Sequence, residues 1–124
     1  MGTDLFAVVT VNLHGITWHM GAADKAVAAM RAACLASEEF RAAQASGEET
    51  FTMPFELEER LNVIKCDGFC EAIRAWDGYE RNGQPVECTP LEARDVPTGI
   101  KTAVFDAAIM RRSELAGKER TPGE

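Results

Sequence analysis

Residues 70–90 read Cys-Glu-Ala-Ile-Arg-Ala-Trp-Asp-Gly-Tyr-Glu-Arg-Asn-Gly-Gln-Pro-Val-Glu-Cys-Thr-Pro, and several kinds of local structure meet in them. The first seven positions continue the apolar period of the segment before them, which predicts a helix ending on Trp76. Asp77-Gly78 and Asn82-Gly83 are turn dipeptides, and Tyr79-Glu80-Arg81 between them fits a short extended arm. Thr89-Pro90-Leu91-Glu92 then supplies a capping hydroxyl, a proline preset for the first helical position, and a capping-box carboxylate three residues after the threonine. A helix launched there is brief, because Asp95-Val96-Pro97 stops it.

Working back toward the N-terminus, Leu57, Leu61, Val63, Ile64, Cys66, Cys70, Ile73 and Trp76 make one broad apolar face, opposite Glu58, Glu59, Arg60, Lys65, Glu71 and Arg74. Asp67-Gly68 interrupts this helix, and a mid-helix glycine costs ~1 kcal/mol relative to alanine. The apolar period stays in phase across it, which favours one helix. Phe51, Met53 and Phe55 alternate with other residues, but Pro54 cannot donate to a ladder, so that segment is at most an edge strand. Gly47-Glu48-Glu49 reads as a solvated connection. Residues 22–46 are dominated by alanine with Lys, Arg, Glu and Gln, the strongest helix formers, with Asp24 as candidate N-cap and Gly47 in a C-cap position. Val27, Met30 and Cys34 share one stripe and Ala33, Ser37 and Phe40 another. The drift suggests that Ser37 restarts the helix by capping Glu38-Glu39-Phe40.

In residues 4–13, Leu5, Ala7, Val9, Val11 and Leu13 fall on one face with the period of a half-buried strand. His14-Gly15 offers a turn, and the alternation of Ile16, Trp18 and Met20 suggests a second strand pairing back on the first. Beyond Thr98 a last helix carries Ile100, Val104, Phe105, Ala108, Ile109 and Leu115 and ends near Gly117. Residues 118–124 read as a disordered polar tail. The expected architecture is α+β: one domain over residues 1–117, with an N-terminal antiparallel β-hairpin or small sheet packed against three to four helices.

A chain of 124 residues can bury a working core without a metal or disulfide staple. Its formal net charge of -7 disfavours nucleic acid and anionic membrane surfaces, which clustered Lys and Arg grip. Arg111-Arg112 is the nearest approach to a basic patch. The apolar run 5–11 follows Asp4 and precedes no small-residue cleavage site, so it does not read as a secretory signal. No apolar run approaches the ~20 residues a membrane span needs. Without a signal, Cys34, Cys66, Cys70 and Cys88 read as free thiols of a reducing compartment.

His14 and His19 flank the predicted turn, and with a cysteine they could hold a metal or act as a base, but no Cys-x-x-Cys or His-Glu-x-x-His spacing supports this. Cys66 and Cys70 share a helix face with Ile73 and Trp76, which favours the core. Cys88, beside a helix cap, is the thiol with the best expected access. Glu58, Glu59, Glu71, Asp77 and Glu80 follow the polar-face pattern rather than converging as an acid/base pair. No phosphate loop, nucleophile elbow or Walker sequence occurs. No catalytic residue, cofactor or metal ligand is therefore assigned. Trp76 reads as a core anchor, or as an aromatic offered to a partner.

The succession of an amphipathic helix ending in Trp-x-Gly, a polar arm with Gly-x-Pro, and Thr-Pro-x-Glu opening a further helix resembles the tail assembly chaperones of long-tailed bacteriophages and prophages. The matching residues are Ile73, Trp76, Gly78, Gly83, Pro85, Thr89, Pro90 and Glu92, within a resemblance spanning residues 51–116. Tyr79-Glu80-Arg81-Asn82-Gly83 replaces the acidic run expected in such an arm, and Cys88 stands where an aromatic is common. The resemblance implies a non-enzymatic protein of the host bacterial cytoplasm. It would bind the tape-measure protein and help recruit tail tube subunits, and such families often make a longer frameshifted product. The partner-binding residues it implies are Trp76, Tyr79, Glu80, Arg81, Gln84 and Pro85. A homo-oligomer is compatible with it. The alternatives are a small regulatory binding module, or a small enzyme or metal protein using His14, His19 and a cysteine.

Overall fold

The computed structural model describes residues 8–47 and 51–120, the side chains of 116–120 excepted. Along the chain run β1 (Val9–Leu13), β2 (Ile16–Met20), α1 (Asp24–Ala36), α2 (Glu38–Ser46), α3 (Phe55–Ala72), β3 (Ile73–Asp77), β4 (Glu80–Arg81), β5 (Gln84–Pro85), α4 (Pro90–Asp95) and α5 (Thr98–Arg120). The fold is α+β: an antiparallel sheet of order β1-β2-β3, a separate β4-β5 ribbon, and five helices among the described residues.

The N-terminal hairpin forms as expected. His14 and Gly15 adopt φ of 58° and 72°, the left-handed pair that matches the twist of a two-residue hairpin. The register runs from Leu13 opposite Ile16 to Val9 opposite Met20. Val9, Val11, Trp18 and Met20 face the core, while Thr10 and Asn12 face solvent. Leu5 and Ala7 lie outside the described residues.

The largest departure from expectation is at residue 73. The helix stops at Ala72, and Ile73–Asp77 is a strand, so Trp76 lies opposite Trp18 across β2 and β3 rather than at a helix end. The exit is held by what receives the last carbonyls. Gly21 N–H donates to Ala72 O at 2.7 Å, and Arg74 Nη1 donates to Glu71 O at 2.9 Å and Ala72 O at 3.1 Å. These contacts satisfy acceptors that the helix leaves open. A Cβ at position 21 would lie 2.8 Å from the Arg74 guanidinium, so a larger residue there would push that side chain away from these carbonyls.

Other boundaries shift as well. Residues 51–54 are not a strand: Pro54 is the N-cap of α3 and Phe55 its first residue. Asp24 is the first residue of α1, after Ala23 at the cap. Val63, expected on the apolar face of α3, is 62% exposed. The last helix passes Gly117 and runs to Arg120, so residues 118–120 of the expected tail are helical. Residues 121–124 and the connection at 48–50 lie outside the described residues. The Ser37 restart holds, with its hydroxyl accepting from Phe40 N–H at 3.3 Å and Gly47 closing α2 at φ 74°. The break before Pro97 holds too, and there the buried Lys101 Nζ donates to Arg94 O at 2.6 Å, tying the end of α4 to α5.

Trp18, Phe69, Phe105, Met20 and Val104 form the fully buried centre. A smaller cluster of Ala33, Leu57 and Leu61 joins α1 to α3. Lys65 Nζ and Asp106 Oδ1, 3.1 Å apart, join α3 to α5 at the surface. Among the described residues no helix is long and apolar enough to cross a membrane.

Candidate functional site

The arm predicted between the two turn dipeptides is present, and its base is aromatic. Trp76, 7% exposed, donates from Nε1 to Val86 O at 2.7 Å, and Val86 N–H donates to Tyr79 O at 2.9 Å. Tyr79 packs at 4.8 Å from the Trp76 ring and 6.0 Å from Trp18, which meets Trp76 edge-on at 5.8 Å. Edge contacts of this kind fix ring orientation as well as burying area. The stem therefore grows out of the core.

Above it, β4 pairs with β5, Glu80 opposite Pro85 and Arg81 opposite Gln84. Asn82 and Gly83, at φ 55° and 80°, turn the ribbon with the geometry their dipeptide predicts. Thr89 accepts from Glu92 N–H at 3.2 Å, as a cap should. The Glu92 carboxylate, expected to complete a capping box, engages Arg81 instead, at 2.8 and 3.3 Å in a two-pronged pair. The pairing holds the Glu92 carboxyl below the usual carboxylate range and the Arg81 guanidinium above its own. An open groove of about 340 Å³ lies between ribbon and helix, lined by Arg81, Gln84, Pro85, Val86, Glu87, Thr89 and Glu92.

Of the residues assigned to partner binding, Glu80, Arg81, Gln84 and Pro85 are exposed on the ribbon, Tyr79 is half-buried in its stem, and Trp76 is enclosed. Trp76 can position the arm but cannot offer its ring. Sequence reasoning missed Val86, whose carbonyl the indole needs, and the Arg81 to Glu92 pair. An apolar Val86 between exposed Pro85 and Glu87 was the available hint for the first. Nothing local links charges eleven residues apart.

The residues of the alternative readings do not converge. His14 is exposed at the hairpin turn, and His19 Nε2 lies 2.9 Å from Asp77 Oδ2 on the solvent face of the sheet. Cys70 and Cys88 pack against the main core and Cys34 against the smaller cluster. Among the described residues no three His, Cys, Asp or Glu side chains are grouped to hold a metal. Cys88, expected to be the most reactive thiol, is half-buried, and burial pushes its pKa up, which lowers its thiolate fraction. Compared with family models, curated proteins and solved structures, the chain matches none.

Proposed function

We propose that the chain is a non-enzymatic assembly chaperone of a long-tailed phage or prophage. It acts in the host cytoplasm on the tape-measure protein and aids recruitment of tail tube subunits. The reading rests on the resemblance carried by Ile73, Trp76, Gly78, Gly83, Pro85, Thr89, Pro90 and Glu92. The observation that supports it best is the held arm. The Trp76 to Val86 bond below and the Arg81 to Glu92 pair beside it anchor a polar ribbon with Glu80, Gln84 and Pro85 outward. A recognition element ordered in advance loses less entropy on docking, which suits transient contact with a protein surface.

Co-expression with the tape-measure protein of the same gene cluster tests it. Soluble tape-measure protein that co-purifies with this chain is expected, and combined replacement of Glu80, Gln84 and Pro85 by alanine should reduce the yield of complex without unfolding the chain. If the wild-type chain changes neither solubility nor co-purification, the proposal is wrong.

A further inference from the structure

The three-stranded sheet has two outer strands, and their free edges differ. β3 carries Arg74 and Asp77, and its ladder with β2 slips between His19 and Met20; charge and irregularity are means by which an edge is kept from pairing further. β1 has neither. Val9–Leu13 contains no charged residue and no proline, and its five pairs with β2 run without a shift. The two-residue turn at His14 and Gly15 makes Leu13 and Ile16 a hydrogen-bonded pair, and by alternation Val11 and Val9 also bond to β2. The N–H and C=O groups of Thr10 and Asn12 therefore point away from β2, and no element among the described residues pairs with β1 on that side.

Beside this edge is a concavity of about 240 Å³, walled by Thr10 and Val11 of β1 and by Ala107, Met110, Arg111 and Glu114 of α5. Met110 is 66% exposed, and Arg111 and Glu114 make a loose pair, 3.6 Å apart along the helix. The row of outward backbone groups selects an extended occupant, since a strand offers donors and acceptors at the matching spacing. The charges select which strand. A chain of net charge -7 repels its own copies over most of its surface, so a self-contact needs a seam without excess charge. β1 is uncharged, and the wall of α5 beside it holds one cation and one anion, which a two-fold axis sets against one anion and one cation.

We propose that β1 pairs with β1 of a second copy, antiparallel about a two-fold axis through Val11, so that two sheets of three strands become one of six. In that register Thr10 of one copy exchanges both backbone bonds with Asn12 of the other, Val9 lies opposite Leu13, and the two Val11 residues face each other as a non-hydrogen-bonded pair. All five residues of each strand are used. The two concavities, which abut Thr10 and Val11, come together at the axis. Each Met110 gains cover, and Arg111 and Glu114 of each copy meet Glu114 and Arg111 of the other. A strand from another protein would satisfy the backbone row but would bring no counterpart to α5. The contact is small, so the dimer is expected to be weak, with a Kd on the order of 10–100 μM. It uses no residue of the arm and does not depend on the assembly-chaperone reading.

Sedimentation of the full chain from about 1 μM to about 1 mM is expected to show a reversible equilibrium of monomer and dimer. Amide exchange followed over the same range should slow at Thr10 and Asn12 as dimer forms, while Val9 and Val11, already bonded to β2, stay as they are. Thr10→Pro removes an outward donor and no bond of the ladder between β1 and β2. It should weaken association at least about tenfold while circular dichroism stays that of the folded chain. Charge reversal tests the contact independently of the strand: Arg111→Glu and Glu114→Arg should each weaken the dimer, and an equimolar mixture of the two variants should restore it, an all-acidic wall facing an all-basic one. A chain that stays monomeric to about 1 mM, a dimer indifferent to a folded Thr10→Pro, exchange protection centred on another element, or a mixture that associates no better than either variant alone would overturn the proposal. If Thr10→Pro unfolds the chain, the exchange pattern and the mixture decide it.

Discussion

A methyl group at position 68 would sit 2.5 Å from Phe105 Cε1 and 2.7 Å from Ala26 Cβ, where α1, α3 and α5 meet. Two effects oppose each other in Gly68→Ala. Helix propensity favours it by ~1 kcal/mol, and overpacking a close contact costs ~1–3 kcal/mol. Neither neighbour is the loose end of a flexible chain, so the clash should win, and urea unfolding should give a lower midpoint for Gly68→Ala. The apolar period favoured one helix across Asp67-Gly68, and α3 does run through it. The glycine is kept by a three-helix contact that no local pattern encodes. His14 shows the reverse case, since it holds φ 58° where asparagine is the better fit. His14→Asn should raise stability by ~0.5 kcal/mol, seen as an increase in Tm of a few degrees. For Cys88, burial acts through the thiolate: alkylation followed by mass spectrometry should be slow near neutral pH and should speed up only above the usual thiol range.

Among the elements, those with punctuation of their own were readable from local chemistry. The hairpin turn, the Ser37 restart, the Asn82-Gly83 ribbon and the Thr89 cap each carry a residue whose side chain or φ does the work on the spot. The exit from α3 carries none. Ile73 and Trp76, three apart, fit the helical period of Ile64 to Cys70 and not the alternation of a regular strand, a mismatch that goes with the register shift opposite His19 and Met20; the choice is made by β2 and by Gly21, more than fifty residues away. The arm is another case, because its stem was legible and its clamp was not. Glu92 has its carboxyl depressed by Arg81, so the pair contributes above the ordinary carboxylate range and is lost as pH falls through the lowered folded value. Both partners are at the surface, and the effect should therefore be local. Amide spectra recorded on acidification should show the residues of β4, β5 and α4 shifting together while the core signals hold. Glu92→Gln should already show the acid-side positions at neutral pH.

For the whole molecule the question is what a formal charge of -7 does to a fold with modest ion pairing. The pairs seen among the described residues join side chains that are half-buried or exposed, where solvent screening leaves each pair little net worth. Salt would weaken those pairs, but it would also screen the net repulsion left by twenty acidic groups in excess of thirteen basic ones. Stability rests instead on the buried packing of Trp18, Phe69 and Phe105 across sheet and helices, which salt does not screen. Repulsion is thus the larger electrostatic quantity at stake. Raising sodium chloride from about 0.01 M to about 0.3 M shortens the screening length from ~30 Å to under 8 Å. The urea midpoint should rise over that range. A midpoint that fell would mean that attractive pairs outweigh the net charge.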